Sequence, residues 1–175
     1  MGGDSVPVTI RHETPGDHDA VRELNRRAFG QDDEAALIDR LRAEGYARLS
    51  LVAVLDGRVV GHILFSDLAI QTRDGPLPAL LLAPMAVLPE RQRQGIGSEL
   101  VRAGLRRGRE RGQRIVFVVG HPEFYPRFGF SHGLTRSIDS PFSGEEAFMA
   151  VELEPGAMQG LRGRIEFPPP FGPLL

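Results

Sequence analysis

Apolar and polar positions alternate in some stretches of the chain and recur every three or four residues in others, which predicts a mixed α/β protein. The first segment, Val6 to His12, alternates in the manner of a half-buried strand. The capping sequence Thr14-Pro15-Gly16-Asp17 then opens an amphipathic helix that ends near Phe29-Gly30. A second helix begins at Asp32-Asp33-Glu34 and stops at Gly45.

The middle of the chain predicts three strands and a third helix. Ser50 to Leu55 and Val59 to Phe65 are apolar runs joined by Asp56-Gly57, a strong hairpin signal, so these two strands are expected to be antiparallel. Leu80 to Val87 predicts a buried strand, which leads through a turn into a helix from Ser98 to about Gly112.

The last third of the chain predicts two more strands around an aromatic turn. Ile115 to Val119 is apolar throughout, as expected of a strand covered on both faces and parallel to the preceding one through a right-handed crossover. His121 to Phe130 predicts a short aromatic helix and turn, residues 131–146 a loop, and Ala147 to Leu153 a final strand. The proline-rich tail beyond Pro155 is expected to lack regular interior structure and either to pack along an edge or to be loose.

The junction between the strand Leu80 to Val87 and the third helix is a candidate anion site. It carries the sequence Gln92-Arg93-Gln94-Gly95-Ile96-Gly97. The first turn of a helix has N–H groups with no internal partner and the positive end of the helix dipole. The two glycines allow phosphates to approach the backbone closely, and Arg91 and Arg93 add countercharge.

Two other phosphate-binding motifs are excluded at this junction. A Rossmann fingerprint requires glycine or alanine where the chain has Leu100, and an acidic residue after the helix, where the chain has only the apolar run 115–119. A Walker loop requires a lysine and a Ser or Thr after the second glycine, and Ile96-Gly97-Ser98-Glu99 lacks the lysine. The histidines show no metal-ligand spacing, and no Gly-x-Ser-x-Gly elbow of a serine hydrolase occurs.

The amino-acid composition further restricts the classes of protein and of functional site that are possible. The 175 residues, 41% of them hydrophobic and 25% charged, suit one globular domain. The absence of cysteine excludes disulfides, thiolate metal sites and a cysteine nucleophile. A formal net charge of −2 gives no general attraction to nucleic acid, although arginines make the third helix locally basic. Without a membrane-length apolar stretch or a signal pattern, we expect a cytoplasmic protein that binds neither membrane nor nucleic acid.

The loop Gln92 to Gly97 resembles the motif of the GCN5-related N-acetyltransferases (GNAT), Gln/Arg-x-x-Gly-x-Gly/Ala, with the family's strand before it and helix after it. The resemblance covers roughly residues 6–154. It implies the acyl-CoA N-acyltransferase fold, an α/β fold with one mixed, mostly antiparallel central sheet, helices on both faces and a splay between strands 4 and 5. The expected domain is 1–154, followed by the tail 155–175.

A second motif resembles the YhbS-like branch of the same family. Tyr-Pro-Arg-Phe-Gly-Phe at 125–130 follows Gly-His-Pro-Glu at 120–123. The resemblance implies that acetyl-CoA is the co-substrate and that the loop binds its pyrophosphate. It assigns cofactor contacts to the end of the strand, to the loop and to one tyrosine: Met85, Ala86, Val87, Gln92, Arg93, Gln94, Gly95, Ile96, Gly97, Ser98 and Tyr125.

The resemblance also assigns two catalytic roles. The backbone at Met85 is the expected donor to the oxyanion, and Tyr125 is the expected general acid at the leaving sulfur. A phenol with an unperturbed pKa of about 10 is protonated at neutral pH and can donate to a thiolate. The competing interpretation is that Tyr125 is a core aromatic packed against the neighbouring phenylalanines.

The general base is left open by the sequence. Family members that acetylate lysine carry a glutamate on strand 4, where this chain has Leu81. Glu34 is the first candidate, followed by Glu123 and His121. Glu34 and its acidic neighbours have an alternative role, because acidic residues stabilise a helix N-terminus. His121 has the alternative role of anchoring a turn.

Two functions are compatible with these residues. The first is an N-acetyltransferase that moves an acetyl group from acetyl-CoA directly to a primary amine of a small molecule or a protein. The second is a non-catalytic acyl-CoA-binding sensor or interaction module. Leu81 favours the second, and Tyr125 favours the first more strongly. We expect a monomer or a homodimer with no metal.

Overall fold

The computed structural model describes residues 7–174, so Val6, the predicted start of the first strand, lies outside the described residues. Its helices are α1 (His18–Phe29), α2 (Asp33–Ala43) and α3 (Ile96–Glu110). Its strands are β1 (Thr9–His12), β2 (Ala47–Leu55), β3 (Arg58–Thr72), β4 (Gly75–Val87), β5 (Ile115–Val119), β6 (Ile138–Asp139), β7 (Phe148–Glu152) and β8 (Gly163–Glu166). The chain divides into two compact units, one of residues up to 65 with 83–104 and one of 66–82 with residues from 105 onward.

The strands belong to one mixed sheet of 8 strands in which β1, β2, β3, β4, β5 and β7 follow in that order. Most described neighbours are antiparallel, whereas β4 and β5 are parallel, as predicted for a crossover through α3. The parallel ladder pairs Leu80 with Val116 and Leu81 with Phe117, although β4 continues to Val87. The predicted fold class, with its opening between strands 4 and 5, is confirmed.

In the first unit, α1 begins at His18, one turn after the predicted N-cap Thr14. A short 3-10 turn leads into it, and the Asp17 carboxylate accepts hydrogen bonds from the N–H of Thr14 at 2.8 Å and its hydroxyl at 3.0 Å. Arg11 adds a two-pronged ion pair to the same carboxylate at 2.7 and 3.0 Å. The helix ends at Gly30, whose φ of 70° is the left-handed conformation of a C-cap.

Within the same unit, α3 lies directly on β3 because two glycines remove side chains from the contact. A Cβ on Gly61 lies 3.0 Å from a Leu100 methyl group and 3.1 Å from Ile96. A Cβ on Gly104 lies 2.3 Å from the Phe65 ring. The ring contact leaves no room for a methyl group at Gly104, and the contacts at Gly61 are tight, so these glycines allow helix and strand to lie close together.

The second unit contains β5, whose predicted bounds, Ile115–Val119, are confirmed to the residue. All five of its residues pair antiparallel with β7. The rings of Phe117 and Phe148 stack with centroids 5.7 Å apart. The C-terminal part of α3 is tied to the end of this pair, since Arg109 Nε donates to the carbonyl of Leu153 at 3.2 Å.

The outer edge of β7 is covered by the chain that follows the aromatic turn. Ser131 and Ala150 exchange backbone hydrogen bonds at 2.8 and 3.1 Å. The carbonyl of Phe148 lies 3.0 Å from His132 Nδ1 and 3.4 Å from the Thr135 hydroxyl, which donates to it. A second copy of the chain therefore finds these edge groups already paired.

Two predictions for the C-terminal third are wrong in part. The segment 131–146 is not only a loop, because it contains the 3-10 turn His132–Thr135 and the strand β6. The tail does contain regular structure: β8 pairs with both β3 and β6, and Ile165 and Phe171 are buried. These strands form because they pair with segments that are distant in the sequence, and local sequence patterns do not indicate such pairing.

Candidate functional site

The start of the loop between β4 and α3 lies in the first unit and is held in place by burial and hydrogen bonds. Its first turn is the 3-10 helix Pro89–Arg91. Leu88 is buried, and its N–H donates to the carbonyl of Val60 at 2.9 Å. The side chain of Gln92 turns back and donates from Nε2 to the carbonyl of Val87 at 3.1 Å. The bonds at both ends of this turn hold the following residues in a defined position.

Two loop residues have left-handed backbone conformations, Arg93 with φ 63° and Gly95 with φ 84°. A Cβ built on Gly95 meets nothing within 4 Å. The left-handed backbone conformation therefore explains why this position is glycine. The missing side chain also leaves open space in front of the loop. Left-handed residues in such turns direct successive N–H groups to one side, which is the arrangement of anion-binding nests.

The helix α3 starts directly after Gly95. The carbonyl of Gly95 accepts the first helical hydrogen bond, from the N–H of Glu99 at 3.0 Å. Ile96, Gly97 and Ser98 form the first turn, where N–H groups have no helical partner and the dipole is positive. Ile96 is buried and anchors this turn, while Gly95 is exposed. The chain thus presents unpaired donors on an accessible surface.

The predicted contacts at the end of β4 fall on its last three residues, Met85, Ala86 and Val87. Ala86 is buried, and Met85 and Val87 are half-buried. Pro84 does not end the strand, which runs through it to Val87. The oxyanion role of Met85 stays a prediction.

An ion pair that the sequence did not indicate joins α1 to the start of the loop. The guanidinium of Arg27 donates to both carboxylate oxygens of Glu90, at 3.1 and 2.7 Å. These bonds lower the pKa of Glu90, and the more distant Arg58, 3.9 Å away, acts in the same direction. The partners are 63 positions apart in the chain, so no local pattern links them.

Tyr125 lies in the second unit, in the 3-10 turn Tyr125–Phe128. Its ring meets Phe124 and Phe130 edge to face, with centroids 5.0 and 5.5 Å away. Burial raises the pKa of Tyr125 to about 12, and no hydrogen bond from a described residue contributes to that shift. The ring therefore packs as a core aromatic while the phenol keeps its proton at neutral pH. Its role as general acid stays a prediction.

The base candidates are placed in different parts of the chain. Glu34 lies in the first turn of α2, where Gln31 Nε2 donates to both its oxygens at 2.9 and 3.2 Å. Its neighbour Asp32 pairs with Arg26 at 2.8 Å and makes no side-chain cap bond. His121 and Glu123 are exposed in the second unit. Leu81, at the position of the family glutamate, is buried and apolar.

The first unit also brings a serine, a histidine and a glutamate together, which the sequence did not predict. Ser50 Oγ lies 2.8 Å from His62 Nε2 and donates a hydrogen bond to the Glu13 carboxylate. The carboxylate lies on the same ring nitrogen as the serine, 3.7 Å from Nε2, and His62 Nδ1 has no partner among the described residues. A nucleophilic triad needs the carboxylate on the opposite nitrogen. With His62 fully buried, this cluster is structural.

Within residues 7–174, no group of three or more His, Asp or Glu side chains is arranged to hold a metal ion. In the same range, every helix is too short or too polar to cross a membrane.

Known proteins are similar to this chain in sequence and in fold. A family model described as the acetyltransferase (GNAT) domain matches residues 9–133. The uncharacterized N-acetyltransferase YjhQ of Escherichia coli (strain K12) is 42% identical over 131 residues, which cover 70% of this chain and 72% of YjhQ. The uncharacterized N-acetyltransferase YhbS of the same strain is 36% identical over 162 residues, covering 91% of this chain and 96% of YhbS.

Two solved structures are similar over nearly the whole chain. The crystal structure of YhbS from Escherichia coli in complex with CoA has a TM-score of 0.87 at 34% identity and covers 95% of this chain and 92% of that chain. A GNAT family acetyltransferase from Brucella melitensis, in complex with acetyl-CoA, has a TM-score of 0.78 at 32% identity, with coverages of 94% and 98%.

Proposed function

Because this chain belongs to the GNAT family of acetyltransferases, we propose that it transfers an acetyl group from acetyl-CoA to a primary amine of a small molecule or a protein. The observation that carries the proposal is the loop before α3. It combines left-handed residues at 93 and 95, an open space at Gly95 and the unpaired amides of a helix start. The CoA and acetyl-CoA complexes of the two similar structures support the same ligand.

The loop fits the diphosphate of a CoA thioester for physical reasons. A diphosphate carries negative charge on several oxygens, and the first-turn amides of α3 supply donors and partial positive charge. The exposed guanidinium of Arg93 adds a full charge beside them. In this proposal Gln92, Gln94, Ile96, Gly97 and Ser98 complete the phosphate contacts, and the backbone of Met85, Ala86 and Val87 aligns the pantetheine arm.

The transfer itself requires two proton movements. The amine nitrogen forms a bond to the thioester carbonyl carbon, and the carbon–sulfur bond breaks; the nitrogen gives up one proton and the thiolate takes one. We assign the hydrogen bond to the developing oxyanion to the Met85 backbone and protonation of the sulfur to Tyr125. Glu34 is the proposed acceptor of the amine proton.

One observation favours the alternative, a non-catalytic acyl-CoA-binding module. The position of the strand-4 glutamate is filled by Leu81, which is 3% exposed and offers no proton acceptor. Such a module binds CoA through the same loop without turning it over.

The proposal is tested by pairing calorimetry with turnover. We expect heat of CoA binding, and release of free thiol from acetyl-CoA above background with members of a panel of polyamines, amino acids and lysine or N-terminal peptides. Binding without thiol release for any amine would favour the module. Absence of CoA binding would overturn both functions.

A matched pair of glycine variants tests the loop. Gly95 and Gly112 have similar φ values of 84° and 79°, and neither has an atom within 4 Å of a built Cβ. Alanine at either position costs about 1 kcal/mol of backbone strain. Only Gly95→Ala should weaken CoA binding, by about tenfold, because its Cβ occupies the phosphate side of the loop. Equal CoA affinities of the two variants would contradict the assignment.

A further inference from the structure

The ring of Tyr125 lies directly against the backbone of Gly120, just after β5. A Cβ built on Gly120 lies 2.4 Å from Tyr125 Cε2, 3.0 Å from Cδ2 and 3.4 Å from Cζ. Carbon atoms that are not bonded do not approach to 2.4 Å, so any side chain at position 120 displaces the ring. The space that Gly120 leaves open is occupied by the phenol itself.

Space, and not backbone conformation, is the reason for glycine at this position. Gly129, at the other end of the aromatic turn, has φ 96° and so needs glycine for its conformation. Gly120 has no such left-handed φ. Its N–H donates to the carbonyl of Ala147 at 3.0 Å, which holds the backbone in place. The backbone at Gly120 therefore cannot move away from the Tyr125 ring without breaking its hydrogen bond to Ala147.

Two phenylalanines complete the enclosure. Phe124 and Phe130 meet the Tyr125 ring at interplanar angles of 83° and 75°. The N–H of Tyr125 donates to the carbonyl of His121 at 3.3 Å, which fixes the backbone of the turn. We call Gly120, Phe124 and Phe130 the Tyr125 seat. The seat leaves the ring little freedom to tilt, although no hydrogen bond from a described residue fixes its hydroxyl.

We propose that Gly120 is a positioning residue for acetyl transfer, because its missing side chain allows the seat to aim the hydroxyl of Tyr125. This inference rests on the proposed function, in which that hydroxyl protonates the leaving sulfur. A phenol whose direction is set by packing alone depends on each wall of its seat. A displacement of about 1 Å in a catalytic group can lower a rate about 100-fold.

A double-mutant cycle tests the proposal. Gly120→Ala should lower kcat about 100-fold and leave the KM for acetyl-CoA within about threefold. In a Tyr125→Phe background the same substitution should lower kcat less than about twofold, because no hydroxyl remains to be misplaced. An equal loss in both backgrounds, or an unchanged kcat in Gly120→Ala, would overturn the proposal.

Gly104→Ala is the matched control. It also drives a Cβ into an aromatic ring, 2.3 Å from Phe65, but it lies in the middle of α3 in the first unit. It should lower the Tm while the folded protein keeps its kcat. If Gly104→Ala lowers kcat as much as Gly120→Ala, crowding as such is the cause and the proposal fails.

Phe130→Leu keeps the test decisive if Gly120→Ala does not fold. It removes one wall of the seat without adding an atom, and it should lower kcat only when Tyr125 is present. A loss that persists in Tyr125→Phe would count against the seat. The proposed function fails separately, through absent thiol release in the unmodified protein, a result that does not depend on Gly120. A full kcat in Tyr125→Phe alone would leave the proposed acetyl transfer standing but would remove Tyr125 from the mechanism and overturn the role of Gly120.

A spectroscopic measurement gives an independent readout. The chain has only two tyrosines, so a Tyr46→Phe background leaves Tyr125 as the single phenol. Ultraviolet titration to about pH 11 should show little phenolate in that background, because burial raises the pKa of Tyr125 to about 12. Adding Gly120→Ala should bring the pKa toward the free-tyrosine value of about 10 as the ring leaves its seat. An unchanged titration would show that the ring has not moved and would overturn the proposal.

Discussion

His62 Nε2 lies 2.8 Å from the hydroxyl oxygen of Ser50 inside the first unit, and this contact determines which ring nitrogen of the neutral histidine carries the proton. Ser50 donates its own proton to Glu13, so its oxygen accepts the N–H of His62. Nδ1 then remains a bare acceptor with no partner among the described residues. Burial lowers the pKa of His62 despite the opposing effect of the Glu13 carboxylate, and Arg42, ion-paired with Glu13, also lowers it. His62 is therefore neutral in the folded protein.

This neutral histidine predicts a loss of stability in mild acid. Below about pH 6.5, His62 binds a proton in the unfolded chain but stays neutral in the folded protein. The free energy of unfolding should therefore fall as the pH falls. The slope attributable to one such group reaches about 1.4 kcal/mol per pH unit until the folded histidine itself titrates. Denaturant unfolding between about pH 7 and pH 5 measures it.

His62→Gln serves as the control for that slope, since the amide can donate to Ser50 but does not titrate. The variant should lose some stability at neutral pH and should show a flatter dependence than the unmodified protein between about pH 6.5 and pH 5. Parallel curves for the two proteins would show that His62 does not cause the slope.

Asp17 predicts a separate loss at lower pH. The pKa of its carboxyl is lowered, chiefly by the hydrogen bonds from Arg11, with further bonds from Thr14. A lowered folded pKa gives stability that is present above about pH 4 and is lost as the pH falls through the folded value. Asp17→Asn should cost about 1–2 kcal/mol at neutral pH. The difference from the unmodified protein should shrink below about pH 4, and a difference that stays constant to about pH 2 would contradict this assignment.

Tyr125→Phe should lower kcat between about 100-fold and 10,000-fold, the range for loss of a positioned proton donor, with CoA affinity nearly unchanged. Since burial raises the pKa of Tyr125 to about 12, its ionisation should produce no fall in kcat between about pH 8 and pH 10. Steady-state kinetics across this range measure both effects. An unaltered kcat in the variant would remove Tyr125 from the mechanism.

The sequence predicted those elements whose burial follows from the local pattern of apolar and polar residues. Ile115–Val119 is apolar at every position and is buried in its first four residues, so its bounds could be predicted to the residue. β3 was predicted to end at Phe65, yet it continues to Thr72. Its extension is stabilised by β8, where Ile70 pairs with Ile165. A partner so distant in sequence leaves no mark on the local pattern.

In the candidate site, too, the features set by local sequence could be predicted and those set by distant partners could not. The loop motif located the turn and its glycines, which follow from local backbone requirements, whereas α3 begins at Ile96, two residues before the predicted start at Ser98. The Arg27–Glu90 ion pair and the approach of Gly120 to Tyr125 arise from tertiary packing. A glycine after a buried strand, with no turn that requires it, was the one available sign of the second contact.

Arg93 provides the last test, because it is a residue with a side chain in a conformation that favours glycine. Its φ of 63° costs about 1 kcal/mol or more, and the side chain is exposed with no ion pair to a described residue. Strain retained at such a position is explained if the guanidinium binds a ligand. Arg93→Gly should therefore leave the free energy of unfolding within about 1 kcal/mol or raise it, while CoA affinity falls about tenfold.

Asp56→Gly is the matched control for Arg93→Gly. Asp56 has φ 49° in the hairpin between β2 and β3, so glycine relieves the same kind of strain there without touching the loop. Its CoA affinity, measured by calorimetry, should equal that of the unmodified protein. Because the ligand contact is electrostatic, the loss in Arg93→Gly should also shrink as the salt concentration rises. A loss of affinity independent of salt, or one of equal size in Asp56→Gly, would assign the effect to the backbone and not to the charge of Arg93.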